Sequence, residues 1–272
     1  MSFTYYNVSL GIDPSQEFWY RNADSVEEQT DLCNYETTLD VVVSALPHDG
    51  PAVETGCGLA RWVIYLRRQG FRVSGLDLSH VALRRAREAA AELPVVTGDV
   101  LRLPFHNGSL AGVLSFGVIE HFIDGPQAAL REIWRVLRPG GVALISVPYN
   151  SYFRRVLINY LRRVRDWQKR RCGLKLQFAE YRFSVTELRN FLEEAGFEVV
   201  SVHPDDFRLP LGKGLWVDSS TFFGCRISAW EIAPGHRHWE MSRWGRLVRW
   251  LLDPLSPWWT AGGVLAVARP RK

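Results

Sequence analysis

Val53-Glu54-Thr55-Gly56-Cys57-Gly58-Leu59-Ala60, followed by Val73-Ser74-Gly75-Leu76-Asp77, is the stretch whose reading decides the fold. It reads as a buried strand, a glycine turn, a helix, a second strand and an acid at that strand's end. Glycine lets the backbone approach a ligand where a Cβ would collide. An acid about 20 residues beyond the glycines can accept hydrogen bonds from ribose hydroxyls. The order therefore builds a nucleoside-binding crevice in a parallel α/β sheet.

A nicotinamide dinucleotide site needs a third glycine where its helix packs on the strand. Arg61 fills that slot here, and Glu54 beside the turn opposes a pyrophosphate. Small residues recur instead at every second position: Gly56, Gly58, Ala60. This pattern resembles the first motif of the class I S-adenosylmethionine-dependent methyltransferases, an acid followed by G-x-G-x-G, with Ala60 in place of the third glycine. That donor has no phosphate and carries an ammonium and a sulfonium, so an acid near the loop helps.

Later segments extend the resemblance. Val95 to Val100 resembles the family's third strand, and Ala111 to Phe122 its fourth strand and following loop. A helix from Pro126 to Leu137, the turn Arg138-Pro139-Gly140-Gly141 and a fifth strand at Val142–Val147 follow. The match resumes at Tyr181–Leu188 and Ala195-Gly196-Phe197 and closes at Val264–Arg269. It implies a Rossmann-like, seven-stranded, mostly parallel sheet with helices on both faces. The seventh strand, from Gly263 to Arg269, would run antiparallel between the fifth and the sixth (Phe197 to Val202). One domain is expected over 1–272: a helical lead 1–46, core segments 47–150, 181–202 and 263–269, and cap insertions 149–180 and 203–262.

Helical periodicity runs from Val26 to Leu46, and Pro47 ends it. Ser79 caps the helix after the second strand. Ser184 with Glu187 forms an S-x-x-E capping box. The insertions exceed ordinary loops, which rarely pass about 15 residues. In the first, Phe153, Val156, Leu157, Tyr160, Leu161, Val164 and Trp167 repeat at helical spacing, opposite a run of arginines between Arg154 and Arg171. The spacing predicts an amphipathic helix over 152–171 with a basic face. That face could be solvated while the apolar side packs on the cap, meet an acidic partner, or lie on an anionic membrane. The second insertion holds Trp216, Trp230, Trp239, Trp244, Trp250, Trp258 and Trp259, which read equally as an acceptor-shaping cap or as packing for long loops.

Nearly half of the residues are apolar, enough for a core, and the net charge of +4 makes the basicity local. The chain lacks a run of roughly 20 apolar residues that would span a membrane. The start, Met1-Ser2-Phe3-Thr4-Tyr5-Tyr6, lacks a signal-peptide pattern. Cys33, Cys57, Cys172 and Cys225 are scattered without C-x-x-C, which reads as reduced thiols in a cytoplasmic protein.

The resemblance implies S-adenosylmethionine as cofactor. Gly56, Cys57 and Gly58 would meet its methionine end by backbone, and Glu54 its ammonium, directly or through water. Asp77, followed by Leu78, would hold the ribose, Asp99 and Val100 the adenine; Ser115 and Phe116 would line the channel to the methyl. His121 is the best-placed titratable group for a general base, with loop orientation or sealing of the cofactor as the other reading. Glu120-His121 resembles the E-x-x-E-H metal site of some quinone-precursor and small-RNA methyltransferases; Gly117 stands at the first Glu position, so no metal is expected. His203, His236 and His238 fall in the cap. The N-P-P-Y-like run of nucleic-acid amino methylases is missing after the fourth strand.

These observations lead to methylation of a small organic acceptor, at a hydroxyl oxygen. Two alternatives stand beside it: a lipid-linked or glycan acceptor at a membrane surface, and a nucleic-acid-binding protein with a vestigial cofactor site.

Overall fold

The computed structural model describes residues 2–8, 25–152, 154–205, 228–231, 237–240, 250–251, 254 and 256–272. In chain order the elements are β1 (Phe3–Val8), α1 (Val26–Asp31), α2 (Leu39–Ala45), β2 (Ala52–Thr55), α3 (Arg61–Arg68), β3 (Val73–Asp77), α4 (His80–Ala89), β4 (Val95–Thr97) and β5 (Leu110–Phe116). Then come α5 (Gln127–Val136), β6 (Leu137–Pro148), α6 (Asn159–Arg171), β7 (Leu176–Arg182), α7 (Val185–Glu194), β8 (Phe197–Asp205), β9 (Ser228–Glu231), β10 (Arg237–Glu240) and β11 (Gly263–Pro270).

Seven strands form one sheet in the order β4-β3-β2-β5-β6-β11-β8. The first five are parallel, and β11 pairs antiparallel with both β6 and β8. Successive residues of β2 face opposite sides of the sheet. Ala52 joins a core with Val42, Trp62, Val63, Leu66, Leu83 and Ala86. Val53 joins another with Leu130, Ile133, Leu188 and Phe197. Helices thus cover both faces, which is why the strands are apolar throughout. The chain runs outward from β2 through β3 to β4, then returns to build β5 and β6 on the other side. The carboxyl ends of β2 and β5 are therefore the topological switch point, where open α/β sheets bind ligands.

Helix ends follow local chemistry. Ser79 Oγ accepts the Ala82 N–H at 3.2 Å. Ser184 and Glu187 form the reciprocal capping box.

Several elements differ from the sequence expectation. The lead is not one helix: α1 passes into a 3-10 turn (Leu32–Tyr35), Glu36 is extended, and α2 begins at Leu39. Outside contacts hold the break. Glu36 Oε1 meets Arg61 Nη1 at 2.6 Å, and Thr38 Oγ1 donates to Asp205 Oδ1 at 3.2 Å. The lead also contains a strand, because Phe3-Thr4-Tyr5-Tyr6 is rich in aromatic and β-branched side chains suited to a pleated surface. Its β1 pairs antiparallel with β7 inside the first insertion. The segment Arg138–Gly141, expected as a turn, forms the irregular start of β6, with Gly140 at φ +73°. β8 runs three residues past Val202, to Asp205, so His203 lies on a sheet strand, its Nε2 2.9 Å from Ser201 Oγ.

The expected amphipathic helix is there, but apolar residues lie on its exposed side among most of the arginines, while two arginines and an asparagine are buried. A π-helical turn (Arg154–Ile158) leads into α6. Arg154, Asn159 and Arg162 are buried, whereas Val156, Tyr160, Val164 and Trp167 are exposed. The buried nitrogens find partners: Arg154 Nη1 donates to the carbonyls of Tyr149 (2.6 Å) and Gly262 (2.9 Å), and Asn159 Nδ2 donates to Asn150 Oδ1 at 2.9 Å, whereas Asn159 Oδ1 has none. The Tyr5 ring lies 4.5 Å from the Arg162 guanidinium and 4.9 Å from that of Arg182. Phe153 and the side chain of Leu157 lie outside the described residues.

Of the tryptophan-rich insertion, β9, which includes Trp230, pairs antiparallel with β10, which includes Trp239. Trp258 packs edge-on against Tyr149 and Trp259 against Tyr152. Trp216, Trp244, His236 and Cys225 lie outside the described residues. Among those described, no helix is long and apolar enough to cross a membrane. Cys33 and Cys57 are buried free thiols and Cys172 an exposed one.

Candidate cofactor site and catalytic loop

The glycine turn is held from below by the acid of the next strand. Asp77 Oδ2 accepts the Gly58 N–H at 2.7 Å, and Oδ1 accepts the Ser79 N–H at 2.8 Å. Burial raises the Asp77 pKa, and those two amides work against the rise. A carboxylate offers about four lone-pair sites, so Asp77 can brace the loop and still accept from a sugar hydroxyl.

The turn takes left-handed backbone at Gly56 (φ +66°), Gly58 (φ +56°) and Ala60 (φ +59°). At Gly56 a Cβ would lie 2.4 Å from Val118 Cγ2, so glycine there lets the loop after β5 close onto the turn. Ala60 keeps the required conformation without glycine's freedom, a cost of roughly 1–2 kcal/mol. The Cys57 side chain points into the core, its Sγ 2.7 Å from where a Cβ on Gly75 would sit. Its amide donates to the Leu76 carbonyl (3.0 Å), and its carbonyl accepts the Ala60 amide (2.7 Å). The Cys57 and Gly58 amides are thus engaged within the fold.

Glu54 sits at the end of β2, buried, with Oε2 lacking a partner. Burial pushes its pKa up to about 8; the Arg61 guanidinium and the Val63 amide pull the other way, and Asp77 adds to the rise. Ser115, opposite Thr55 on β5, is fully buried with its Oγ also unpartnered. Phe116 is half-buried and meets Trp62 edge-on, ring centroids 5.4 Å apart.

Along the same carboxyl edge, Asp99 Oδ1 accepts the Leu101 N–H at 2.9 Å and opens a 3-10 turn (Val100–Arg102). Val100 is buried, whereas Leu78 and Leu101 stand exposed at 54% and 39%. Two apolar side chains open to solvent beside Asp77 and Asp99 suit a flat aromatic ring.

The loop after β5 places Glu120 and His121. Glu120 is buried, Oε2 lacks a partner, and burial followed by the charge of Glu180 raises its pKa well above the usual range, with its own amide opposing. His121 Nδ1 lies 2.7 Å from the Ala179 carbonyl oxygen on β7. A carbonyl can only accept, so Nδ1 carries the hydrogen, and in the neutral ring Nε2 carries the lone pair. Nε2 is 3.8 Å from Glu120 Oε1. Among the described residues no cluster of three metal-ligating side chains occurs.

The fold thus brings Glu54, Gly56, Gly58, Asp77, Leu78, Asp99, Val100, Ser115, Phe116 and His121 to one edge of the sheet, with the Val100 and Cys57 side chains packed in the core. Sequence reasoning missed Leu101, Val118 and the Glu36–Arg61 pair. Arg61 was visible only as a departure from the dinucleotide pattern, and nothing marks Glu36 as its partner.

A family model described as a methyltransferase domain matches residues 53–145. A 2-phytyl-1,4-naphtoquinone methyltransferase of Thermosynechococcus vestitus is 33% identical over 58% of this chain and 77% of its own length. A demethylmenaquinone methyltransferase of Mycolicibacterium vanbaalenii is 44% identical over 57% of this chain and 60% of its own. For most of the curated relatives it matches, the chain spans about half their length. An S-adenosylmethionine-dependent methyltransferase from Mesorhizobium loti shares the fold, with a TM-score of 0.54 at 19% identity over 87% of this chain and 99% of that one. The chain belongs to the class I S-adenosylmethionine-dependent methyltransferases, and S-adenosylmethionine is its cofactor.

The residues present fit that cofactor. Glu54 Oε2 is a buried acceptor in need of a donor, which an ammonium supplies; Leu78 and Leu101 offer exposed apolar surface beside Asp77 and Asp99.

Proposed function

We propose that this methyltransferase acts on a small organic acceptor at a hydroxyl oxygen, with His121 as the general base. Glu54 would hold the donor's ammonium and Asp77 its ribose, with Asp99, Val100, Leu78 and Leu101 around the adenine. Gly56 and Gly58 would let the methionine tail lie close to the turn, and Ser115 and Phe116 would border the methyl. When bound, the donor supplies an electrophilic methyl on a good neutral leaving group. The protein's remaining tasks are alignment, exclusion of water and removal of one proton. Alignment in such sites lowers barriers by about 7–11 kcal/mol.

One observation carries the assignment of the base: the hydrogen bond to Ala179 fixes the tautomer that makes Nε2 basic. His121 Nε2 would take the acceptor hydroxyl's proton and hold it as an imidazolium, while the bound donor would supply the methyl to that oxygen and depart as its neutral thioether. The names of the quinone relatives direct the acceptor search to quinones and their reduced hydroxyl forms first. His121→Asn should lower kcat on a responding acceptor by about 10²–10⁴-fold while leaving S-adenosylhomocysteine affinity within about twofold. An unchanged kcat would remove His121 from the chemistry.

The second reading, a lipid-linked acceptor met at a membrane surface, is favoured by the outward apolar stripe on α6. It expects turnover of a vesicle-borne acceptor to exceed that of the same compound in detergent.

A further inference from the structure

A helical segment that buries Arg154 and Arg162 while exposing tyrosine, valine and tryptophan departs from the ordinary arrangement, so the exposed apolar residues call for a reason. Tyr152, Val156, Tyr160, Val164 and Trp167 follow one another at spacings of three or four, which puts them on one side of the helical segment. Their exposures are 58%, 62%, 66%, 40% and 55%. The inner side has its own contacts, Arg154 to backbone carbonyls, Asn159 to Asn150, Arg162 to the Tyr5 ring. The stripe therefore cannot simply rotate inward.

Cations frame it. Arg155, Arg163, Arg165, Arg170, Arg171 and Lys175 are all exposed, and Asp166 is the only acid between residues 152 and 175. Several of these arginines lie against aromatic rings. Arg163 sits 6.0 Å from the Phe3 ring, Arg170 5.3 Å from Tyr6 and Arg171 4.7 Å from Trp167. Between α6 and β1 opens a groove of about 400 Å³, bordered by Tyr6, Arg163, Asp166, Trp167 and Arg170. Two guanidiniums and an indole around a shallow groove suit a phosphate group carried on an apolar body. Acyl chains would meet the stripe while the headgroup met the arginines.

We infer that the outer face of α6, with the groove against β1, docks the enzyme on an anionic phospholipid surface. The helix lies on the membrane: apolar side chains enter the acyl boundary, and Arg163 and Arg170 grip phosphates. This deepens the second reading of function, but it holds whatever atom of the acceptor is methylated.

The test is co-sedimentation of the full chain with phosphatidylglycerol vesicles that contain no acceptor, beside phosphatidylcholine vesicles. Calorimetry with S-adenosylhomocysteine on every variant reports an intact fold and donor site. The wild type should bind the anionic vesicles and not the neutral ones, with binding falling as salt rises. Tyr160→Asp and Trp167→Ser should each weaken binding about tenfold, and Arg163→Glu with Arg170→Glu should abolish it, all with donor affinity unchanged. Absence of wild-type binding would overturn the inference. So would aromatic variants that bind like wild type, or arginine-dependent retention on duplex DNA without vesicle binding. None of these outcomes touches donor binding or turnover of a soluble acceptor, so docking and methyl transfer fail separately.

Discussion

Glu54 links the site to pH. Its pKa of about 8 lies above the ordinary 4.5. The ligand-free protein therefore keeps this group's contribution to stability below about pH 4.5 and loses it as pH rises toward 8. Pairing with an ammonium favours the ionised carboxyl, so donor binding must release a proton below pH 8. S-adenosylhomocysteine affinity should rise up to about tenfold per unit between about pH 6 and 8, and Glu54→Gln should flatten the slope. Titration calorimetry in buffers of different ionisation enthalpy would read the proton directly. A pH-independent affinity in the wild type would contradict the assignment. Ala60 makes a second case. It alone among the described non-glycine residues has positive φ, so Ala60→Gly should gain about 1 kcal/mol, read as a higher Tm. A lower Tm would mean that the fully buried methyl contributes more through packing than the backbone strain costs.

At the scale of elements, caps and strands were the legible part. Ser184 and Glu187 satisfy the amides at the start of α7, whose Leu188 and Leu192 enter the core beside Phe197. Ser184→Ala should cost about 1 kcal/mol, measured by denaturant unfolding; a change below a few tenths would show that packing alone sets this end. Elements governed by local pattern and capping, such as α4, α5 and α7, stand where the sequence puts them. Those governed by distant partners do not. The lead breaks at Glu36 and Thr38 because their partners, Arg61 and Asp205, lie far along the chain. Arg154, in the turn before α6, and Arg162, on α6, point inward because the Tyr149 and Gly262 carbonyls and the Tyr5 ring offer acceptors and a π face, while the other described arginines of α6 stay exposed. Helical periodicity reports that a helix has two faces; which face is buried depends on what surrounds it.

At the scale of the molecule, topology assembles the site. Residues from four strand ends and two loops reach one edge because the chain leaves β2 in one direction and returns through β5 in the other. That much followed from the spacing of glycines, acids and strands. The exposed Leu101, the packing of Val118 on Gly56 and the unpartnered Glu54 and Ser115 oxygens did not, because exposure and satisfaction are properties of the folded surface. The central claim is that this edge holds the sulfonium donor through Glu54 and Asp77. Its most direct test is titration calorimetry of folded protein with S-adenosylhomocysteine, for the wild type and Asp77→Ala. The account predicts one site per chain in the wild type and at least about a tenfold weaker site in the variant, a loss of about 1.4 kcal/mol. Wild-type protein that takes up none of the ligand, or a folded variant that binds it equally well, would contradict it.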